Sequence, residues 1–422
     1  MEWVFFGVAA FSAVTTFNAI RPFPWSVLSI GSFFPGWLAT ELAPQRLGIE
    51  VAILVVFPVL GALEGWQGYA AVALMAFSII GTLYLIAIAR AAGEVAERAL
   101  KEGLGDDYLD HIDPDLSARY DPTIPWARLL LARAGVPEVE RIKNLSYGPY
   151  KRRNRIDVYR HMDHPTKCPT LLQIHGGGWV IGSKDQQGKP LMEHLSARGW
   201  VCFAPNYRLG PRSRFPDMLV DLKQALAWIR EHGEEYGADT DFIVVTGGSA
   251  GGHLTALVAL TQNDPEYQPG FEDADTSVFA AVPYYGVYDF TGRNNVRGKI
   301  GERGMRRFLE RSVMPTKLAA DPEGWAKASP LDRITPDDPP FFVIHGHNDT
   351  LVPVAEAHYF VEKLRAVSRE PVVYAELPGA QHAFDVFPSV RTAHIIRAIE
   401  RYVDYMYTRY RHRERTDREV VA

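Results

Sequence analysis

The sequence predicts an α/β fold, in which an eight-stranded, mostly parallel sheet is covered by helices on both faces and is preceded by an N-terminal transmembrane helical region. Two observations support this prediction. From residue 139 onwards, short apolar runs alternate with amphipathic helical stretches, as in chains that form parallel sheets. Residues 1–90, in contrast, contain long uncharged apolar segments that suit a bilayer.

The N-terminal region, residues 1–90, is predicted to be a membrane anchor. Segment 66–89 is uncharged, and about 20 consecutive apolar residues are enough to cross a bilayer core. Segment 3–20 is also free of charge, and it lacks both the basic start and the cleavage site of a signal peptide. Two shorter segments, 25–40 and 49–63, are interrupted by proline. We therefore expect four spans, or two if the shorter segments do not cross.

The distribution of charges in this region predicts an anchor and not a transport pathway, because no charged residue lies in the middle of a candidate span. With four spans, Arg46 and the basic group that begins at Arg90 fall on one side of the membrane, and Arg21 falls on the other. The positive-inside rule then places the C-terminal part in the cytoplasm, as a domain of an integral membrane protein.

The segment that follows, residues 91–138, is expected to be a helical connector or a lid. Its first part, 91–103, has the alternating charges of an amphipathic helix and is expected to extend the last span into solvent. An acidic stretch with prolines follows, and a short apolar helix is predicted at 126–134. A lid would lie over the active site, whereas a connector would only separate the anchor from the next domain.

Residues 139–412 are predicted to form one α/β domain, and residues 413–422 a charged tail. The predicted parallel strands are 169–174, 201–205, 242–246, 280–285, 341–344 and 372–377. The predicted helices are 192–197, 218–231, 253–262, 354–366 and 390–407. Segments 139–147 and 155–161 are predicted as an antiparallel pair that leads into the sheet. Ligands of such sheets bind beyond the carboxyl ends of the strands, so the loops that follow strands are the places to search for a site.

The overall composition excludes several classes of function. The 422-residue chain has a formal net charge of -5, which gives no reason to expect nucleic acid as a partner. Its two cysteines, Cys168 and Cys202, are too few for a disulfide framework or a cysteine-based zinc site. The oligomeric state is left open by the sequence.

The most informative stretch is 241–254, where a β-branched apolar run leads through a glycine-rich turn into a helical pattern. Gly247, Ser249 and Gly251 form a G-x-S-x-G pattern within it. In a nucleophile elbow, glycines on both sides permit the strained turn that lifts a serine hydroxyl above the sheet. The turn also points the first N–H groups of the next helix at an anion that forms there. Ser249 is therefore a candidate nucleophile.

A serine nucleophile requires a histidine to take its proton and a carboxylate to fix the tautomer of that histidine. Asp349 and His382 each follow a predicted strand. Ser249, Asp349 and His382 also occur in the chain order of the α/β-hydrolase arrangement. The sequence therefore predicts that these three residues form a catalytic triad.

A glycine loop after the strand 169–174 is expected to supply an oxyanion hole. In this loop His175 is followed by Gly176, Gly177 and Gly178. Successive glycines let the backbone approach a ligand closely and point N–H groups at it. His175 is expected to brace the loop and not to transfer protons.

One alternative site consists of His345, His347 and Asp349, which resemble the H-x-H-x-D metal cluster of metallo-β-lactamase-type hydrolases. That pattern normally continues with a second histidine after the aspartate, and this chain has Thr350 at the position. The metal interpretation also leaves Ser249 without a role. We therefore expect no metal site.

With these motifs, residues 140–410 resemble the hormone-sensitive-lipase-like branch of the α/β-hydrolase esterases. The resemblance includes the glycine loop followed by Trp179, the serine elbow, and the predicted acid and histidine. Further matches are Asn206, Tyr207, Arg208, Leu209, Phe215, Pro216, Asp221, Ala225 and Trp228. It implies a serine esterase or lipase that hydrolyses carboxylic esters without a cofactor. It also implies an oxyanion hole made by the N–H groups of Gly177, Gly178 and Ala250.

Two features differ from that branch. Gly248 stands where the family often has an aspartate before the nucleophile, and the run 251–254 also resembles arylformamidases and bacterial feruloyl- or xylan-acetyl-esterases. The apolar start resembles that of isoprenylcysteine methylesterase-like proteins and membrane-bound mycobacterial-type carboxylesterases. An arylformamidase or acetylesterase activity, or an acyltransferase that uses the same triad, remains an alternative. The expected substrate is a small-molecule or lipid ester, and anchoring through residues 1–90 favours an amphiphilic one.

Overall fold

The computed structural model of the chain describes residues 1–23, 29–131 and 135–421. The start of the candidate segment 25–40, the end of the helix expected at 126–134 and the last residue of the chain lie outside the described residues. The described chain consists of an N-terminal group of helices and an α/β domain.

The α/β domain is built on one sheet. Its strands are β1 (Val139–Ser146), β2 (Arg155–His161), β3 (Cys168–Ile174), β4 (Val201–Pro205), β5 (Ala238–Gly248), β6 (Ala280–Tyr284), β7 (Phe341–Gly346) and β8 (Val372–Leu377). Among the described residues, the eight strands have the order β1-β2-β4-β3-β5-β6-β7-β8. β1 and β2 pair antiparallel with their neighbours, and the pairs from β4 to β8 are parallel. The predicted mostly parallel sheet is therefore confirmed, together with its antiparallel lead-in pair.

Helices cover both faces of this sheet. The described α-helices are α1 (Glu2–Ile20), α2 (Ser29–Glu41), α3 (Ala43–Val59), α4 (Trp66–Leu104), α5 (Pro114–Ser117), α6 (Trp126–Leu130), α7 (Lys189–Ala197), α8 (Asp217–His232), α9 (Ala250–Leu260), α10 (Gly298–Ser312), α11 (Pro322–Lys327), α12 (Val354–Val367) and α13 (Val390–Val421). Short 3₁₀ helices are Tyr108–His111, Lys151–Asn154, Gly233–Tyr236, Pro265–Tyr267 and Pro330–Asp332. α8, α9 and α12 pack on one face, and α7, α13 and the second half of α4 pack on the other. The segment expected as a charged tail is the helical end of α13 as far as residue 421.

α4 joins the two parts of the chain as one uninterrupted helix of 39 residues. Its second half carries Ala92 and Leu100, which are buried in the same apolar cluster as residues of α13 and β8. Gly103 approaches β8 so closely that a Cβ there would come within 2.7 Å of the Val373 side chain. α4 therefore extends the last apolar segment as predicted. It packs on the sheet and does not project into solvent, because small residues on one face allow a close approach.

Fewer segments are able to cross a membrane than the four that the sequence predicted. Among the described residues, α1 and α4 are long and apolar enough to cross, judged by length and composition. α2 and α3 pass this test only together and are bent by 86°, so the total is two spans, or three if the bent pair is one span. By length and composition this count is closer to the expectation of two spans than to that of four, and α2, with only 13 residues, packs against the α/β domain.

A buried ion pair lies in the helical region. Arg46 and Glu50 of α3 are 2.8 Å apart, and Glu50 is 1% exposed. Arg46 donates a hydrogen bond to Thr16 of α1, and Ser78 in the middle of α4 donates one to Glu50 at 2.6 Å. Charged residues therefore do lie beside the middle of a candidate span. Each charge has polar partners from neighbouring helices, which is how buried charges are tolerated, and the cluster ties α1, α3 and α4 together.

Candidate active site

Ser249 stands at a sharp turn between β5 and α9. Its backbone has φ 60° and ψ -121°, a left-handed conformation that is strained for a serine. The flanking glycines are required by close packing: a Cβ at Gly247 would lie 2.4 Å from the carbonyl oxygen of Ile174, and a Cβ at Gly251 would lie 2.3 Å from the same atom. β3 therefore presses against both arms of the turn, and the half-buried serine is left at its apex.

The glycine loop lies directly against this turn. A Cβ at Gly176 would be 3.2 Å from Cβ of Ser249. Gly177 and Gly178 have φ values of 113° and 57°, which glycine adopts without strain. No backbone hydrogen bond among the described residues uses the N–H group of Gly177, Gly178 or Ala250. These donors are therefore available to an oxygen atom bound beside Ser249.

Trp179 anchors the far end of the glycine loop. Its indole Nε1 donates to Nδ1 of His253 at 3.1 Å, and Nε2 of His253 donates to the carbonyl oxygen of Ala328 at 2.8 Å. Burial lowers the pKa of His253 to about 3, so the ring is neutral and the two contacts define its tautomer. The sequence analysis assigned His253 only to a motif, and its role in holding Trp179 depends on contacts between distant segments.

His175 lies under the loop and contacts it through both ring and backbone. The ring stacks on Tyr207 with 4.3 Å between centroids, and the Tyr207 hydroxyl donates to the carbonyl oxygen of His175 at 2.7 Å. Nδ1 of His175 is 2.8 Å from the carbonyl oxygen of Gly176, and burial lowers the pKa of the ring to about 4. A fully buried, neutral ring in this position suits the bracing role expected for His175.

Asp349 and His382 meet in the loops that follow β7 and β8. Nδ1 of His382 lies 2.6 Å from one carboxylate oxygen of Asp349, and the other oxygen accepts the N–H groups of Leu351 and Val352 at 2.8 and 2.7 Å. Burial opposes ionisation of this carboxyl, but the neighbouring His382 and His345 outweigh that effect and hold the pKa of Asp349 well below its usual value. Asp349 is therefore a buried carboxylate that orients the imidazole.

Tyr285 lies against both the serine turn and His382. Its ring lies 4.5 Å from the His382 ring, and its hydroxyl donates a hydrogen bond to Asp385. No hydrogen bond among the described side chains joins Ser249 to His382, a contact that is often long before a substrate binds. The sequence analysis missed Tyr285 and Asp385, although Tyr285 directly follows β6 and Asp385 shares the loop of His382.

The same tyrosine explains why this chain has glycine before the nucleophile. A Cβ at Gly248 would lie 2.5 Å from the hydroxyl oxygen of Tyr285 and 2.8 Å from its ring. An aspartate at position 248, as in many members of the resembled branch, would overlap Tyr285. The hydroxyl of Tyr285 is in turn hydrogen-bonded to Asp385 in the loop of His382.

The two histidines of the alternative metal site have different surroundings, and His345 alone of the two lies within 4 Å of Asp349 among the described contacts, at 3.4 Å. His347 is 62% exposed and contacts Glu376 at 2.6 Å, whereas the buried His345 contacts the carbonyl oxygen of Val352 at 3.0 Å. Within the described ranges, no group of three or more histidine, cysteine, aspartate or glutamate side chains is placed to hold a metal ion. β7 ends at Gly346, so His347 lies beyond the strand and does not share the face that alternation along the strand gives His345.

α2 lies against the histidine loop, which the sequence did not predict. Phe33 of α2 is 6.3 Å from the His382 ring in an edge-on arrangement. Trp37 donates through Nε1 to the carbonyl oxygen of Ala383 at 2.9 Å and stacks on Phe387. The segment proposed as a lid, 91–138, instead packs where it is described on α13 and β8, as a connector does. The helix beside the candidate triad therefore comes from the N-terminal region.

Comparison with known proteins identifies an esterase and a probable carboxylic ester hydrolase as relatives of this chain. Residues 156–364 match the BD-FAE family model. The chain is 43% identical over 410 residues to the probable carboxylic ester hydrolase LipM of Mycobacterium tuberculosis, covering 95% of this chain and 92% of LipM. It is 39% identical over 326 residues to esterase LipQ of the same organism, covering 76% of each chain.

Solved structures show the same fold. An inhibited esterase B from Lactobacillus rhamnosis superimposes with a TM-score of 0.58 over 69% of this chain and 94% of that chain, at 20% sequence identity. A truncated carbohydrate esterase from gut microbiota superimposes with a TM-score of 0.53 over 64% of this chain and 100% of that chain, at 18% identity. At these identities the two structures establish the architecture of the α/β domain and nothing further.

Proposed function

Since the chain belongs to the BD-FAE family of α/β-hydrolase esterases and is a carboxylic ester hydrolase, we propose that it acts through an acyl-enzyme formed on Ser249. The observation that carries the proposal is the 2.6 Å hydrogen bond between His382 and Asp349, made at the carboxyl ends of neighbouring parallel strands. That bond fixes the tautomer in which Nε2 of His382 is free to accept a proton. Ser249, on the nearby elbow, is the group that would lose it.

In the first half of the reaction, the hydroxyl oxygen of Ser249 attacks the ester carbonyl carbon, and Nε2 of His382 takes the hydroxyl proton. The carbonyl oxygen becomes negatively charged and accepts the N–H groups of Gly177, Gly178 and Ala250. His382 then returns the proton to the departing alkoxide, so that an alcohol leaves and the acyl group stays on Ser249. Asp349 stabilises the imidazolium that exists between these two steps.

In the second half, water replaces the alcohol. His382 takes a proton from the water as it attacks the acyl-enzyme carbonyl, and the same N–H groups hold the second oxyanion. Collapse of this intermediate releases a carboxylic acid and returns the proton to Ser249. The reaction needs no group beyond the protein and water.

A probe of serine hydrolases tests the nucleophile directly. A fluorophosphonate should form a covalent adduct with Ser249, because the activated hydroxyl attacks phosphorus as it attacks an ester carbonyl. Mass spectrometry of the labelled full-length chain should locate the adduct on the peptide that contains Ser249. The heat-unfolded protein should not react. An adduct on a different residue, or equal labelling of folded and unfolded protein, would rule out the proposal.

We also propose that the chain is an integral membrane protein and that its substrate is an amphiphilic or lipid ester. The apolar helices α1 and α4 support insertion in a membrane, and the basic residues Arg90, Arg98 and Lys101 after the apolar part of α4 favour the cytoplasm for the α/β domain. Phe33 and Trp37 of α2 support an apolar substrate, because they bring aromatic side chains from the same helical region to the histidine loop. An acyl chain that reaches His382 from this side would lie beside them.

Turnover as a function of acyl-chain length tests the proposed substrate class. We expect kcat/KM for a series of p-nitrophenyl esters to rise from acetate to octanoate by about tenfold or more, because each buried methylene contributes about 0.8 kcal/mol. Phe33→Ala should flatten this rise, whereas Phe11→Ala, at a side chain 71% exposed on α1, should leave it unchanged. A maximum at acetate in the unaltered protein, with or without detergent, would argue against a lipid or amphiphilic substrate.

A further inference from the structure

α10 presents an unusually basic face to solvent. Its exposed side chains include Lys299, Arg303, Arg306, Arg307 and Arg311. No hydrogen bond or ion pair within the part of the chain that the structure describes involves any of these side chains. Of the two acids of α10, Glu302 is buried and held by Arg297, and Glu310 is half-buried, so the exposed cations outnumber the acids on this helix. In a chain of net charge -5, so many unpaired cations on one helix form a distinct positive surface.

The opposite face of α10 packs on the catalytic machinery. Phe308 lies over the glycine loop, where a Cβ at Gly178 would be 3.5 Å from its ring. Leu309 is fully buried, and the carbonyl oxygen of Val313 accepts the N–H of Phe215 at 2.8 Å. α10 therefore lies at the oxyanion side of Ser249, whereas α2 lies at the His382 side. The basic face points away from the site.

The end of the apolar segment of α4 indicates where the basic face of α10 lies relative to the surface of a membrane. The uncharged segment of α4 ends just before Arg90. Ile88, which belongs to the same turn of the helix, lies against Gly379 in the loop after β8. The carboxyl ends of the strands therefore stand where α4 changes from apolar to charged, which is the level of lipid headgroups. The glycine loop and α10 lie over the carboxyl ends of the same sheet.

Two apolar side chains are exposed near the basic face of α10. Ile300 of α10 is 77% exposed, and Ile181, whose N–H group bonds to the carbonyl oxygen of Gly177, is 68% exposed. Cations interspersed with exposed aliphatic side chains are the pattern of helices that lie at a bilayer surface.

We propose that the basic face of α10 binds the surface of a membrane that contains anionic phospholipids and holds the α/β domain against it. Lys299, Arg303 and Arg307 pair with headgroup phosphates, while Ile300 reaches the interface. This inference rests on the proposed membrane insertion and not on the chemistry of Ser249. Each Lys or Arg near an anionic leaflet strengthens binding by about fivefold, so three of them contribute up to about 100-fold.

A label on α10 tests the proposal without measuring activity. Both native cysteines are buried, so the full-length Ile300→Cys variant accepts a thiol-reactive fluorophore at one accessible site. The labelled protein is reconstituted in vesicles whose headgroups carry a spin-label quencher, made of phosphatidylcholine with or without phosphatidylglycerol. We expect strong quenching only with phosphatidylglycerol. Quenching should fall at about 1 M salt, where the Debye length is about 3 Å.

Two triple variants that remove the same number of positive charges distinguish the effect of the basic face of α10 from the effect of the total charge of the protein. Lys299→Gln, Arg303→Gln and Arg307→Gln, combined in the labelled protein, should abolish the difference between the two kinds of vesicle. The control combines Lys143→Gln, Lys167→Gln and Arg415→Gln, which remove the same charge from exposed positions in β1, just before β3 and in the last part of α13. The fluorescence of the control variant should be quenched as strongly as that of the labelled parent protein in each kind of vesicle.

The quenching results can be distinguished from a failure of the proposed Ser249 mechanism. Equal quenching in both kinds of vesicle, or an effect of the control as large as that of the α10 variant, would overturn the inference. The same measurement in a Ser249→Ala background should give the same quenching, since the lipid contact does not depend on the nucleophile. Hydrolysis of a water-soluble short ester should change less than twofold in the α10 variant, because none of its three side chains contacts the site.

Discussion

Ser249→Ala is expected to lower kcat for ester hydrolysis by about 10⁵- to 10⁶-fold, the loss seen when a serine nucleophile is removed from a triad. The acyl-enzyme cannot form without the hydroxyl, and the histidine and the acid contribute little without it. Residual turnover should come only from the oxyanion donors and from substrate binding. Initial rates on a p-nitrophenyl ester, with purified full-length protein in detergent, provide the measurement.

The control for this variant removes a hydroxyl elsewhere. Ser117→Ala, in a short helix that packs on α13, should retain full activity, since its side chain makes only a 3.5 Å contact with a backbone carbonyl. Thermal unfolding of both variants should match the parent, because Ser249 makes no side-chain hydrogen bond that caps α9. Activity of Ser249→Ala within tenfold of the parent would mean that a different group performs the attack.

Asp349→Asn is expected to lower kcat by about 10⁴-fold with little change in KM. Asparagine has nearly the same shape, so its oxygen can still accept the N–H groups of Leu351 and Val352. Its amide group, however, donates a hydrogen bond toward Nδ1 of His382, which then carries its proton on Nε2 and cannot accept one from Ser249. The loss of the buried negative charge also removes the stabilisation of the imidazolium.

A neighbouring histidine provides the matched control for Asp349→Asn. His347→Ala should keep at least half of the parent activity, because His347 is largely exposed and bonds to Glu376 instead of the triad. A metal site made from His345, His347 and Asp349 would require the opposite result, with His347→Ala as damaging as Asp349→Asn. Comparable losses in the two variants would therefore revive the metal interpretation and argue against Asp349 as the triad acid.

The residues proposed for catalysis were found from sequence because their positions follow from local rules. Parallel strands place their carboxyl ends at one edge of a sheet, so polar residues that follow different strands converge there. Asp349 and His382 follow β7 and β8, which are neighbours, and they are hydrogen-bonded. The glycines around Ser249 were also recognisable, because close contact with β3 leaves no room for a side chain.

Other parts of the site depend on segments that are distant in the chain. Tyr285 and Asp385 carry no motif, and their pairing became visible only when β6 and the histidine loop were seen together. The glycine at 248 was noticed as a departure from a family pattern, but its cause is the tyrosine that occupies the space. A sequence pattern records which residue is small and does not record what fills the space beside it.

The sequence by itself determined the class of fold, the ester hydrolase family and the positions of the candidate serine, acid and histidine, since hydrophobic periodicity and glycine motifs are local signals. Only the tertiary structure decided how the N-terminal helices are used. Apolar composition indicated membrane affinity for α2, but not its contact with His382 through Phe33. It also could not reveal the pairing of Arg46 with Glu50 beside α4. Both depend on packing between helices, where the free energy comes from complementary surfaces of distant segments.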